Sequence, residues 1–517
     1  MSLFDANCML GRRAMQTALR IPTTARELLC EMDRLGIAEA LVFHGYALDG
    51  HPGRGNEQLM KEIEGQPRLH PCWMLLPSAG EMAAAGELVK EMKARGVRAA
   101  RMSPGWHRYA ITQANVGDLL AALEQASIPL FLDFGVTHWS DDKTDWRSLD
   151  ELCPRYPRLP FIVVGEGMGA PRFLFPMWSR HPNLYLETSY YQVHQGLSDV
   201  ARRFGPERLL FGSGLPVRSA GPPLTQLEYD FLTEEERAAI GGGNLRRLLG
   251  RAHGGSEPPA AEADTSGSSA VRLPSHPIID AHAHLGDWFR SYANAGWADG
   301  LVRSMDRLNI RHTALTAFDA IGPDMRGGND QVAAAMRAYP GRFLGYATVD
   351  PNEPAAMAAE LERCFEQLGF SAIKFHCGTH GYPAESERYR PALEYAEAHG
   401  LCVLIHGSIT ERLLETYPRA RFLSAHVGGW DGRAPNAAVG LSKRHANLFL
   451  DLTSSVAWNG AIEALVKEAG AERIVFGSDV PLMDPGYQLG RVLGSLLSEG
   501  EVRNIVYDNA AQLFHIL

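Results

Sequence analysis

The chain repeats itself, and this restricts its fold more than any other feature. MDRLGI at Met32–Ile37 returns as MDRLNI at Met305–Ile310, 273 positions later. At the same offset GVRAARMS (Gly96–Ser103) is answered by GFSAIKFH (Gly369–His376), and IPLFLDF (Ile128–Phe134) by LCVLIHG (Leu401–Gly407). Further on, HPNLYLETS (His181–Ser189) matches HANLFLDLT (His445–Thr453), and RLLFGSGLP (Arg208–Pro216) matches RIVFGSDVP (Arg473–Pro481). Likeness kept over five separated segments marks a gene duplication, so each half must fold on one plan. Between the halves, 250–277 is rich in Gly, Ser, Ala and Pro and almost lacks large apolar residues. Such a stretch cannot bury enough surface to offset its ordering entropy and reads as a flexible linker. The expected organisation is a domain over 1–252, a linker over 253–276 and a second domain over 277–517.

Within each half, short apolar runs alternate with stretches of helical periodicity, the pattern that builds parallel sheets. Eight such runs begin in the second half at Ile278, His312, Phe343, Ala372, Leu401, Arg421, Asn447 and Ile474, and eight in the first at Leu3, Ala38, Leu69, Val97, Ile128, Pro160, Asn183 and Arg208. Eight β/α units in roughly 240 residues predict a (β/α)8 barrel. The fold class is therefore α/β, two tandem (β/α)8 TIM barrels. A doubly wound open sheet is the alternative, disfavoured because no GxGxxG follows the first strand.

Composition excludes several functions. With 50 basic against 60 acidic residues the net charge is −10, leaving no basic excess for nucleic acid. No run of 18 apolar residues offers a membrane span. The seven cysteines are scattered and never form a CxxC pair, which argues for a reducing compartment. With no basic start and h-region at the N-terminus, a cytoplasmic protein is expected.

In a barrel, functional groups collect where strands end. In the second half those positions hold His282 and His284, Lys374 and His376, His406, His426 and Asp479. Residues two apart in a strand project to one face, so His282 and His284 can grip one cation together. Imidazoles with one carboxylate form the donor set of catalytic zinc and also suit iron, manganese or cobalt. Asp280 has the parity of the histidines but lies deeper, and reads as structural. His376, His380 and Trp430 are expected pocket walls.

DAHAH (Asp280–His284), IHG (Ile405–Gly407), SAHVGG (Ser424–Gly429) and FGSDVP (Phe476–Pro481), in that order, resemble the amidohydrolase superfamily, and more closely amidohydrolase family 2. That branch holds metal-dependent hydrolases, lactonases and non-oxidative decarboxylases related to aminocarboxymuconate semialdehyde decarboxylase. The resemblance implies that His282, His284, His406 and Asp479 hold the metal and that His426, with Asp479, serves catalysis. The expected cofactor is one divalent transition ion, zinc first. Lys374 is assigned with His376 to substrate binding, pairing as an ammonium with a substrate carboxylate; a binuclear site bridged by a carboxylated Lys374 is the lesser alternative.

At the matching positions the first half has lost this set. Asn7 stands for His282, Met9 for His284, Arg101 for Lys374, Ser103 for His376, Asp133 for His406, Glu166 for His426 and Gly214 for Asp479. Asp133 and Glu166 are expected to pair with Arg101 rather than to hold a hard cation. Because members of this branch commonly pair as dimers, the resemblance implies that the first barrel acts as a built-in partner, an intrachain pseudo-dimer with room for further homo-oligomers. Arg172 and Arg180 are candidates to reach a neighbouring mouth. The expected activity is metal-dependent hydrolysis of a C–O or C–N bond in a small anionic molecule; the alternatives are non-oxidative decarboxylation at the same site and a non-catalytic ligand-binding scaffold.

Overall fold

The computed structural model describes residues 1–14, 22–77, 80–250, 271–430, 432 and 434–516. Most of the expected linker, 251–270, lies outside the described residues. The chain divides into two compact units: Met1–Gln192 with Gly196–Arg272, and Leu273–Leu517 with Val193–Gln195.

The first unit is an eight-stranded parallel sheet in sequential order. Its strands are β1 (Leu3–Leu10), β2 (Ile37–His44), β3 (Leu69–Met74), β4 (Ala99–Met102), β5 (Leu130–Asp133), β6 (Phe161–Val164), β7 (Leu184–Glu187) and β8 (Leu209–Leu210). In the second unit, β9 (Ile278–Leu285), β10 (Ile310–Ala317), β11 (Phe343–Thr348), β12 (Ala372–His376), β13 (Cys402–His406), β14 (Arg421–Ser424), β15 (Leu448–Asp451) and β16 (Ile474–Val475) follow the same order. Every strand starts within two residues of its sequence expectation. The strands are short and nearly all apolar because helices cover one face and the barrel interior the other. Helices bury one stripe: Ala298–Arg307 buries Leu301, Ser304 and Met305, and Ala461–Ala469 buries Ile462, Leu465, Val466 and Ala469. Alternate strand residues fill each interior, Phe4, Met74, Phe131, Ile162 and Leu210 in the first unit, and Ile279, Tyr346, Leu404, Leu423 and Phe449 in the second.

The last strand of each unit is only two residues long, because the chain then bonds to the first strand outside a regular ladder. Ala6 and Met9 donate to the carbonyls of Phe211 and Leu215, both at 2.8 Å, and Ala281 and His284 to those of Phe476 and Val480 at 2.9 and 2.7 Å. This seam explains a departure from the simple strand parity expected for Asp280. The ladder register slips between Asp280 and Ala283, as it does between Asp5 and Cys8. Ile279 and Ala281 below the slip, and His282 and His284 above it, thus turn to the same inner side, while Asp280 serves the slip itself. Its Oδ1 accepts the backbone N–H of His282 (3.2 Å) and Ser478 (3.0 Å), and its Oδ2 accepts the Ser478 hydroxyl (2.5 Å). Asp5 does the same for Asn7 and Ser213, both at 2.9 Å. A bulge leaves backbone donors without ladder partners, and a buried carboxylate is a compact way to satisfy them.

Candidate active site

The C-terminal ends of β9, β12, β13, β14, β15 and β16 bring His282, His284, Lys374, His376, His406, His426 and Asp479 to one mouth. The rings of His282 and His426 are 5.0 Å apart, His406 and His426 4.6 Å, His376 and His406 4.2 Å, and His282 and His284 5.3 Å. His284 stacks on Phe318 at 4.5 Å. His282 and Lys374 are fully buried.

At the centre stands a residue the sequence reading passed over. Asp451, fully buried at the end of β15, accepts from His282 Nδ1 at 2.8 Å. Its Oδ2 also accepts the His426 backbone N–H (3.1 Å), and its Oδ1 the backbone and hydroxyl of Thr453 (2.9 and 2.7 Å). This bond fixes the His282 tautomer: the proton sits on Nδ1 and the Nε2 lone pair faces the mouth. There Nε2 accepts from Lys374 Nζ at 2.9 Å. A signal for Asp451 existed, since the first half carries an acid, Glu187, at the matching place before Ser or Thr.

Electrostatics keep the donors ready for a cation. Burial lowers His284 to about 4, His376 to about 3 and Lys374 to about 8, and it lowers His406 and His426 as well, so these four imidazoles are neutral at pH 7. Burial works against the Asp479 anion, but His284, His426 and His282 outweigh it and hold the carboxyl well below its ordinary value. The donors also fit a metal geometrically. His282, His426 and Asp479 each offer a ligand atom within 4.8 Å of the others. His284 Nε2 lies 2.8 Å from Asp479 Oδ1, yet that buried oxygen has no partner with hydrogen-bond directionality. An imidazole nitrogen and a carboxylate oxygen this close but poorly aligned are placed as two donors converging on one point. Neutral imidazoles with one carboxylate suit a divalent transition ion.

His426 and Asp479 have φ of +61° and +60°, a conformation disfavoured for residues with a Cβ. Backbone strain of this kind is held where the surroundings over-determine it, commonly at functional positions. The remaining predicted residues fall as follows. His376 caps the short helix Cys377–His380, accepting from Thr379 N at 3.3 Å. Both nitrogens of His380 are engaged, by Tyr389 Oη (2.9 Å) and Ile321 O (3.1 Å), which makes it a structural wall. Trp430 is half-buried and donates to Ala434 O at 2.6 Å. Arg180 pairs with Asp150 at 3.1 Å on the surface of its own unit, and Arg172 is exposed.

In the first unit, Arg101 bonds Asp133 at 2.5 Å, as expected from the sequence, and also Asn7 Oδ1 at 3.0 Å. Glu166 takes no part in that pair and accepts instead from the Thr144 hydroxyl. Burial raises Glu166 to about 7.

The amidohydrolase family model (Amidohydro_2) matches residues 32–251 and again 279–516. A decarboxylase of Emericella nidulans, orsB, is 32% identical over 138 residues, covering 26% of this chain and 39% of that enzyme, so the chain spans about two fifths of that relative's length. A gamma-resorcylate decarboxylase of a Polaromonas species is 22% identical over 290 residues, 42% of this chain and 87% of that enzyme. Among solved structures, 5-carboxyvanillate decarboxylase of Novosphingobium aromaticivorans, with manganese and a nitrobenzoic acid bound, aligns at 17% identity and a TM-score of 0.39, covering 47% of this chain and 97% of that one. With the family model spanning both repeats, this chain belongs to the amidohydrolase family as a tandem duplication.

Proposed function

We propose that the second repeat is a metal-dependent, non-oxidative decarboxylase of a small carboxylated ring compound. The observation that carries this reading is that both curated relatives are decarboxylases. For that reason the expected hydrolysis of a C–O or C–N bond gives way to its alternative. A scaffold role fits poorly with a donor set kept whole in one repeat and erased in the other.

His282, His284, His406 and Asp479 would hold the ion; zinc, manganese, iron and cobalt all accept such donors. When bound, a divalent ion supplies a Lewis acid that fixes substrate oxygens and withdraws electrons from the bond to be broken. Asp451 keeps the His282 lone pair pointed inward. Lys374 offers a buried ammonium for the substrate carboxylate, and His376 borders the same space. The ring carbon that loses carbon dioxide must take up a proton. His426, whose ring lies 5.0 Å from that of His282 and 4.6 Å from that of His406, would relay it from water through its ring nitrogen. The first repeat does no chemistry in this reading and stands in for a partner subunit. Seven free cysteines, six of them buried, suit a reducing, cytoplasmic setting; among the described residues no helix is long and apolar enough to cross a membrane.

Incubating metal-loaded protein with carboxyl-labelled hydroxybenzoates and following labelled carbon dioxide tests the proposal. Release that requires His426 supports it; oxygen-18 from water appearing in product without carbon dioxide restores hydrolysis.

A further inference from the structure

Three residues that the sequence places inside the first repeat, Val193–Gln195, belong in the fold to the second unit. All three are buried there. His194 uses both ring nitrogens, Nδ1 toward Asn294 O at 2.9 Å and Nε2 toward Ser304 Oγ at 2.7 Å. Asn294 returns the contact, its Nδ2 donating to His194 O at 2.9 Å and Gln195 O at 3.4 Å. The Gln195 amide donates to Gly300 O and Ser304 Oγ, each at 3.0 Å. Its backbone N–H donates to Asp484 Oδ2 at 3.1 Å, from a residue held at φ +50°.

The partners of this tripeptide are not scattered. Asn294, Gly300 and Ser304 lie on the connection from β9 into the helix Ala298–Arg307, the segment that follows His284. Asp484 lies five residues after Asp479 and caps the helix Pro485–Leu493, its Oδ1 accepting Tyr487 N at 2.9 Å. That helix carries Arg491, which donates to Leu452 O at 2.7 Å and to Gly428 O, two residues beyond His426. The two loops also touch directly, since a Cβ on Gly296 would come within 2.9 Å of Pro481.

We infer that Val193–Gln195 is a latch that fastens the loop after His284 to the loop after Asp479 and so sets the separation of two donors in the proposed ion site. His194 and Gln195 are positioning residues, acting through hydrogen bonds to Asn294, Ser304 and Asp484. The inference rests on the metal-site reading above.

The test uses the full-length chain, stripped of metal and titrated with manganese or zinc against a chromophoric chelator. His194→Ala and Gln195→Gly are expected to weaken ion affinity by about tenfold or more, the usual effect of removing groups that orient ligands. Gln195→Gly keeps the backbone donor and suits the positive φ, so it retains the fold if His194→Ala does not. His194→Gln, which restores one bond, is expected to recover part of the affinity. Val332→Ala, a core change in the same unit, is the control and should lower the melting temperature with affinity unchanged. If wild type binds and both latch variants bind equally well, or if Val332→Ala weakens binding as much, the latch is overturned. If the wild-type chain binds neither ion, the site reading itself fails and the latch falls with it.

Discussion

The mouths of the two barrels are built on the same backbone and have taken opposite electrostatic solutions. In the second, imidazoles and Asp479 crowd around a space with one buried ammonium beside it. In the first, the Arg101 guanidinium ties β4 to β5 and β1 through Asp133 and Asn7 and stands over the Phe43 ring at 4.1 Å. Yet what surrounds the ligands has hardly changed. Asp5 and Asp280 serve the same bulge, and Glu187 and Asp451 end the same strand. Gly214 has φ +73°, the left-handed conformation that Asp479 holds at +60°. The backbone requirement at this position outlived the chemistry, and the first repeat meets it with the residue that adopts it without a Cβ penalty. A site can lose every ligand and keep the frame that placed them.

The comparison is broken most directly by removing a ligand. His282→Ala or His406→Ala should abolish bound metal and lower turnover by more than about a hundredfold, exceeding the usual loss for a supporting group. Elemental analysis of full-length variants would check this, and metal retained by a chain lacking the second-repeat histidines would place a site in the first. If His426→Ala also empties the site, His426 is a ligand, as its approach to His282 and Asp479 allows.

A smaller effect separates the two acids at the strand-seven position. Asp451→Asn should weaken ion affinity by about ten- to a hundredfold, because the His282 tautomer is no longer held. Glu187→Gln in the first repeat should leave affinity unchanged in the same titration.

Exchanging the residues at the left-handed position sharpens the backbone argument. Asp479→Gly should abolish metal binding yet stabilise the metal-free protein by about 1 kcal/mol, while Gly214→Ala should cost a similar amount. Thermal melts of metal-free protein would measure both; a destabilised Asp479→Gly would show the carboxylate's bonds outweighing its strain.

The smallest effect concerns pH. Burial raises Glu166 and Glu187 of the first mouth to about 7, above the ordinary glutamate value. A carboxyl whose folded value is raised binds its proton more tightly when folded. Its contribution is complete below about 4.5 and is lost as pH rises through about 7. Glu166→Gln should therefore flatten the fall in melting temperature between pH 5 and pH 8, and an unaltered slope would show that Glu166 does not titrate there.

The barrels were legible because period and repeat carry them: apolar runs located all sixteen strands to within two residues. The cluster of histidines at one mouth was legible because strand ends converge. The bulge was hidden, since alternation alone gives Asp280 the parity of His282, and only the seam with the last strand shows the slip. Asp451 was visible as the last residue of an apolar run, but a carboxylate that bonds a histidine looks in sequence like any strand-end acid. Val193–Gln195 could not be read at all, because its hydrogen bonds join residues 99 to 289 positions apart.

Arg101 also fixes a charge in the first mouth. It is 3% exposed, and a guanidinium cannot shed its charge at any physiological pH. Histidines restored at 7, 9 and 133 would hold an ion beside a charge that, unlike that of the buried Lys374 at the matching place, cannot be withdrawn. Burial works against the half-buried Asp133 anion and Arg101 outweighs it, with Arg218 adding to the same effect, so loss of the arginine weakens the support of that carboxylate without removing it. The two mouths thus keep a cation at one place in the barrel, fixed in the first repeat and open to discharge by burial in the second.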